Sequence, residues 1–107
     1  MNKPMNTTYD FRLCDGTVVK LTLNFYFLYQ LRSNHKELYD RYNKIMQSTN
    51  NNVFDILDMV TICYVGYVCA NLKEENLLSE EEFYLKCGSD MEAVGKAVNH
   101  MITPKKR

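Results

Sequence analysis

The chain has 107 residues, with 13 basic and 13 acidic side chains and no formal net charge at pH 7. This length suits one small domain with a modest core, and the charge balance excludes a global field that would attract nucleic acid or an anionic membrane surface. Hydrophobic residues make up 46% of the chain, which argues against wholesale disorder. The start of the sequence is polar and lacks the apolar run of a signal peptide, so we expect a soluble intracellular protein.

The first regular pattern is an alternation of apolar and polar residues from about residue 7 to residue 23, with Asp15-Gly16 near its centre. The alternation predicts two β-strands, and the Asp-Gly pair predicts the turn of a hairpin. A two-residue turn would place the apolar residues of the two strands on opposite faces. A three-residue loop over 14–16, with its glycine in the left-handed conformation, places them on one face, so we predict this form. The pairs expected from this loop are Phe11 with Val19 and Tyr9 with Leu21.

Two helices are predicted next, each opened by an asparagine. Asn24 can cap a short helix over 25–32, although the aromatic residues of that segment also suit a strand. Asn34 and Glu37 have the spacing of a capping pair that opens a second helix. The second helix carries an apolar stripe on one side and charged residues on the other. The stripe consists of Leu38, Tyr42, Ile45 and Met46, and the charged side of Glu37, Asp40, Arg41 and Lys44.

The central helix is predicted over about 53–72, after a polar loop that ends in Asn52 as its cap. Its second half, 62–70, carries no charge, and such a helix is normally buried in a core, buried in a membrane or covered by a partner. The first half carries Asp55 and Asp58, and an Asp in hydrocarbon costs roughly 2.5–3.5 kcal/mol. We therefore expect the other elements to cover this helix and make it the hub of the fold.

Two further helices are predicted after a charged turn. Ser79 with Glu82 forms a capping box that opens a helix to about Lys86, with Phe83 turned inward and Gly88 at its end. A second capping box, Ser89 with Glu92, opens a helix over 91–102 that Pro104 stops. The apolar set of this last helix is Met91, Val94, Ala97, Val98 and Met101.

The order of elements predicts an α+β fold. An N-terminal β-hairpin at about 7–23 is followed by about five α-helices, which pack around the central helix at about 53–72. We expect one domain over 1–107, with 1–6 and 103–107 as flexible tails.

No arrangement of residues in the sequence suggests catalysis, a metal site or a bound cofactor. His35 lies in a polar loop and His100 near a helix end, and these positions explain both residues without a catalytic role. The four cysteines lack Cys-x-x-Cys spacing, and the acidic run at 74–82 lacks the ligand pattern and central glycine of a calcium loop. We therefore expect a protein that is not an enzyme, with free and buried thiols.

The sequence has eight tyrosines, which are either half-buried core residues or part of an interface. Any apolar surface left on the central helix is expected around Tyr64 and Tyr67, where a partner or a second copy of the chain would dock. Lys105, Lys106 and Arg107 at the basic end are further candidates for partner contacts. Three charges at a flexible end usually do little more than solubilise, so we do not expect nucleic-acid binding.

Three stretches carry a resemblance to a known family. They are 11–23 with 28–32, then 39–46, and then 70–97, and together they cover most of the chain from residue 9 to residue 102. In these stretches the sequence resembles the small tail assembly chaperones of long-tailed (siphovirus-type) bacteriophages and related prophages. The matches are patterns of general type and include no catalytic signature.

The resemblance implies a non-enzymatic protein that acts in the cytoplasm of the bacterial host and is absent from the mature virion. Such chaperones bind the tape-measure protein, keep its long apolar helices soluble and recruit tail-tube subunits. The resemblance implies the tape-measure protein and the tail-tube protein as partners. Apart from the resemblance, we expect that the chain can form a homo-oligomer, and we expect neither membrane association nor a cofactor. The alternative is a small prophage-encoded adaptor or regulatory protein that binds a host protein.

Overall fold

The computed structural model describes residues 8–48 and 54–102, where two strands precede five helices. This arrangement confirms the predicted α+β class. Among these residues, no helix combines the length and the apolar character needed to cross a membrane. The elements are β1 (Tyr9–Arg12), β2 (Val18–Leu21), α1 (Phe25–Asn34), α2 (Lys36–Ser48), α3 (Ile56–Ala70), α4 (Glu80–Cys87) and α5 (Met91–Ile102).

Strands β1 and β2 form the antiparallel hairpin in the predicted register, with Phe11 opposite Val19 and Tyr9 opposite Leu21. The three-residue loop is also confirmed. Gly16 has a φ of 92°, and the Leu13 N–H donates to the Thr17 carbonyl at 2.7 Å. The strands are shorter than the alternation suggested, since β2 ends at Leu21.

Helices α1 and α2 follow each other with only His35 between them. The Asn24 side chain caps α1 by accepting the Tyr26 N–H at 2.8 Å, which confirms the helix over the alternative strand. The prediction that Asn34 caps α2 is wrong. Asn34 is the last residue of α1, and its side chain donates back to the Gln30 carbonyl at 3.0 Å. The apolar stripe of α2 lies on its packed side, but none of its residues is fully buried.

Helix α3 is the hub that the sequence predicted, because it packs against β2 and against each of the other four helices. Every residue from 60 to 69 is buried except Tyr64. The helix is shorter than predicted, since it begins at Ile56 and ends at Ala70. Its N-cap is Asp55, so the prediction of Asn52 as the cap is wrong. Asn52 itself, with the rest of 49–53, lies outside the described residues.

The last two helices have the predicted bounds, but only one has the predicted cap. At α4 both bonds of the Ser79–Glu82 capping box are present. At α5 the Ala93 N–H binds the side chain of Asp90, at 3.0 Å, and the prediction of a Ser89 capping box is wrong. Ser89 lies one residue too early, because Asp90 directly precedes the helix.

The apolar residues predicted for the buried side of α5 differ in their burial. Val94, Ala97 and Val98 are buried as predicted, and Met101 is half-buried. Met91 is 64% exposed, so its assignment to the buried face is wrong. It stands in the first turn, ahead of the part of α5 that lies against α3. Pro104, the predicted stop, lies outside the described residues.

Candidate partner-binding surface

Tyr64 and Tyr67, the predicted docking position on α3, instead hold the segment that leads into α4. The Tyr67 hydroxyl accepts the Leu78 N–H at 3.0 Å, and the Tyr64 hydroxyl donates to the Leu78 carbonyl at 3.0 Å. Both rings also contact Phe83, with centroid distances of 5.4 Å for Tyr64 and 5.3 Å for Tyr67. These contacts cover the part of α3 where we expected free apolar surface.

The prediction of accessible surface for partner binding has a different outcome at Tyr64 and at Tyr67. Tyr67 is only 7% exposed, so it is a core residue and the prediction of accessible apolar surface at this position is wrong. Tyr64 is half-buried, and partner binding there stays a prediction. Lys105, Lys106 and Arg107 lie outside the described residues, and their role in partner binding also stays a prediction.

The exposed aromatic residues are instead concentrated on α1. Phe25 is 88% exposed, Tyr26 61% and Tyr29 56%, whereas Leu31 is the only fully buried residue of this helix. Phe25 and Tyr29 are four residues apart and therefore lie on one side of the helix. A contiguous apolar surface on a small protein marks a binding site more often than scattered apolar residues do.

A groove runs beside these aromatic residues, between α1 and α2, and we call it the α1–α2 groove. Its volume is about 380 Å³, within the range of pockets that hold ligands or side chains. Helix α2 contributes rings and a flexible methionine that can adapt to a partner. The lining residues are Phe25, Leu28, Tyr29 and Arg32 from α1 and Tyr39, Tyr42, Asn43 and Met46 from α2.

Among the described residues that line the groove, Arg32 is the charged one. Its guanidinium carbon lies 5.9 Å from the centroid of the Tyr39 ring, in reach of a cation–π interaction. Burial, reinforced by Cys69 and Tyr39, raises the pKa of Tyr42 to about 12. The Tyr42 hydroxyl is therefore uncharged at neutral pH, and the lining combines the charge of Arg32 with neutral side chains, most of them aromatic or aliphatic.

The sequence contained a signal for this surface that our prediction did not use. Four of the first five residues of α1 are aromatic, and they point around the helix and not to one side. A helix on the outside of a small fold can bury only one of its sides. Some of these rings therefore had to remain exposed, but the pattern alone does not say which ones.

A larger cleft, of about 530 Å³, lies between β1 and α5 and has a different character. Its charged side chains are of both signs and are partly paired within the protein, Asp10 with Lys20 at 2.6 Å and Glu92 with Lys96 at 3.6 Å. Charged groups therefore make up a larger share of this lining than of the α1–α2 groove, although both linings contain apolar residues. In the described part of the chain, no cluster of three or more His, Cys, Asp or Glu side chains is placed to hold a metal ion.

The four cysteines are free thiols, as predicted, but only three of them are buried. Burial raises the pKa of Cys63 and of Cys69 to about 12 and that of Cys87 to about 11. These thiols stay protonated at neutral pH, which suppresses their reactivity as nucleophiles. Cys14 lies in the hairpin loop and is exposed, so its predicted burial is wrong.

A scan against the profiles of protein families found no match, and neither did searches of curated proteins and of solved structures.

Proposed function

We propose that the protein is a non-enzymatic tail assembly chaperone. It binds the tape-measure protein in the cytoplasm of the bacterial host, recruits tail-tube subunits during tail morphogenesis and is absent from the mature virion. The observation that carries the proposal is the exposed aromatic surface of α1, together with the resemblance of 11–23 with 28–32, of 39–46 and of 70–97 to that family.

The physical task of such a chaperone is to cover apolar helices until they assemble. Phe25, Tyr26 and Tyr29 suit this task because aromatic side chains bring a large apolar area at a low cost in conformational entropy. The tyrosine hydroxyls keep the same surface compatible with water when no partner is bound. Binding that consists of burying apolar area forms no covalent bond, so the partner can be released during assembly.

A rigid scaffold behind α1 is also consistent with this task. Leu31 is fully buried, and α1 packs against both α2 and α3. The Asn24 cap fixes the start of the helix beside Phe25 and Tyr26. A partner would therefore meet aromatic rings whose backbone is already ordered, which lowers the entropic cost of association.

Co-expression tests the proposal. The chain is produced together with a tape-measure protein from the same genome, as the wild type, as Phe25→Ser/Tyr29→Ser and as Leu85→Ser. Leu85 is the matched control because it is 71% exposed but lies on α4. We expect soluble tape-measure protein with the wild type and the control, and aggregated tape-measure protein with the α1 variant. Aggregation with the wild type, or full solubility with the α1 variant, would refute the proposal.

A further inference from the structure

The α1–α2 groove carries one positive charge on α1, that of Arg32. In the described ranges 8–48 and 54–102, no carboxylate lies within ion-pair distance of Arg32. The contrast is Arg41 on the same helix pair, which binds both oxygens of Glu80 at 2.6 and 2.7 Å. Arg32 rests on Tyr39, and its N–H donors are available to a carboxylate from outside.

We propose that the α1–α2 groove binds one amphipathic helix of a partner, whose apolar side packs on Phe25 and Tyr29 and whose acidic residue pairs with Arg32. This inference takes the identity of the partner from the proposed function, and it adds the chemistry of the segment that the partner supplies. An apolar helix that lacks the acidic residue would pack against the rings, but it would leave the Arg32 guanidinium unpaired at the edge of the contact.

The geometry favours a helix over an extended strand. Both walls of the groove are α-helices, and the backbone groups of a helix interior are bonded within the helix. An extended peptide gains its affinity from main-chain hydrogen bonds to a sheet edge, and this groove has no such edge. An amphipathic helix needs only apolar contacts, which the rings and Met46 provide.

The spacing along α1 sets the pattern expected in the partner. Phe25 and Arg32 are seven residues apart, which corresponds to about 10 Å along the helix axis. A partner helix that runs alongside α1 therefore places its acidic residue about seven positions, or two turns, from the apolar residue against Phe25. The tape-measure segment bound by this chain is expected to contain that pattern.

Two synthetic amphipathic peptides test the inference without the tape-measure protein. They share one leucine stripe and differ in the residue seven positions from its first leucine, which is Glu in one and Lys in the other. Affinities are measured by isothermal titration calorimetry. We expect the Glu peptide to bind the wild type about fivefold more tightly, a ratio in keeping with a partly exposed charge pair. Arg32→Glu should reverse the preference, and Tyr29→Ser should weaken both peptides about tenfold or more.

Arg12→Glu is the matched control, because it makes the same change of charge at an exposed residue of β1. It should leave the ratio between the peptides unchanged. Equal binding of the two peptides to the wild type, or no binding of either, would overturn the inference. The same holds if neither peptide binds and Tyr29→Ser converts a dimer into a monomer in sedimentation, since a second copy would then cover the groove.

The two proposals fail in different experiments. If the peptides bind as expected but the tape-measure protein still aggregates in co-expression, the chaperone function is refuted. The preference of the groove for an acidic helix then remains intact. Soluble tape-measure protein with no peptide preference would refute the inference about Arg32 and leave the proposed function intact.

Discussion

Gly66 shows how closely the central helix approaches the hairpin. Its carbonyl accepts the Thr22 N–H at 3.1 Å, so the end of the hairpin is tied directly to the backbone of α3. A Cβ at this glycine would lie 2.9 Å from the Met101 sulfur, 3.2 Å from the Leu21 Cβ and 3.4 Å from the Thr22 nitrogen. The methionine end can move, but the Leu21 Cβ and the Thr22 backbone are held by the sheet and the core.

Substituting Gly66→Ala is therefore expected to destabilise the protein. Alanine gains about 1 kcal/mol in helix propensity, and the forced contacts cost about 1–3 kcal/mol, so we expect the free energy of unfolding measured in urea to fall by up to about 2 kcal/mol. Gly95→Ala is the control, because Gly95 is also helical and, in the part of the chain that the structure describes, no atom outside its own helical turn lies within 4 Å of the added Cβ. That variant should be at least as stable as the wild type. A Gly66→Ala protein that gains as much stability as Gly95→Ala would contradict the close approach.

Asp15 gives the hairpin loop a pH-dependent contribution to stability. The hydrogen bond from Lys86, at 2.9 Å, and that from the Thr17 N–H lower the pKa of Asp15 from 3.8 to about 2. Because the carboxylate is more acidic in the folded chain than in the unfolded chain, its contribution is present above about pH 4. It is lost as the pH falls through about 2.

Asp15→Asn should accordingly flatten the fall in stability between about pH 4 and pH 2. The measurement is the denaturant midpoint as a function of pH for the wild type and the variant. The difference between the two proteins should shrink as the pH falls through this window. A constant difference from pH 7 to pH 2 would show that the ion pair of Asp15 and Lys86 does not contribute to folding.

At the level of elements, the hairpin register, one capping box and the central position of α3 were predictable, whereas the caps of α2, α3 and α5 were assigned to the wrong residues. The register of β1 and β2 followed from the alternation and from Gly16, because a shift by one residue would turn the apolar side chains away from the helices. The capping box of α4 followed from the spacing of Ser79 and Glu82. The register and the capping box each depend on residues within one turn or one hairpin.

The candidate site could not be predicted in the same way. Tyr67 is covered by the segment around Leu78, which has neither helical nor strand periodicity and gave no signal that it would fold back on α3. The aromatic residues of α1 were visible in the sequence, but their exposure depends on which side of α1 the hub occupies. Leu31 lies on the buried side of α1, and Phe25 and Tyr29 remain exposed to solvent.

The cap of α5 provides a test at the scale of one element. Asp90 accepts the Ala93 N–H, so Asp90→Ala should reduce stability by about 1 kcal/mol, the usual value of an N-cap. Ser89→Ala should change it by only a few tenths of a kcal/mol, because its side chain makes no such bond in the described structure. Chemical denaturation of both variants measures the difference. Equal losses of stability in the two variants would contradict the assignment of the cap to Asp90 and would support a capping role for Ser89.

At the scale of the whole molecule, the structure divides the apolar surface into two parts with different roles. Helix α3 buries its charge-free half under β2 and the other helices, and this burial holds the domain together. Helix α1 lies against that hub through Leu31 and keeps its aromatic residues outside. The apolar character of α3 therefore serves folding, and we assign partner binding to α1 and the groove beside it.

Hydrogen–deuterium exchange tests this division most directly, with the free chain compared with its complex with the tape-measure protein. We predict slow exchange across α3 in both states, since its amides open only with global unfolding. Peptides covering α1 and residues 39–46 of α2 should exchange faster in the free chain and become protected in the complex. Protection confined to α3, or an α1 whose exchange is the same with and without the partner, would contradict the account.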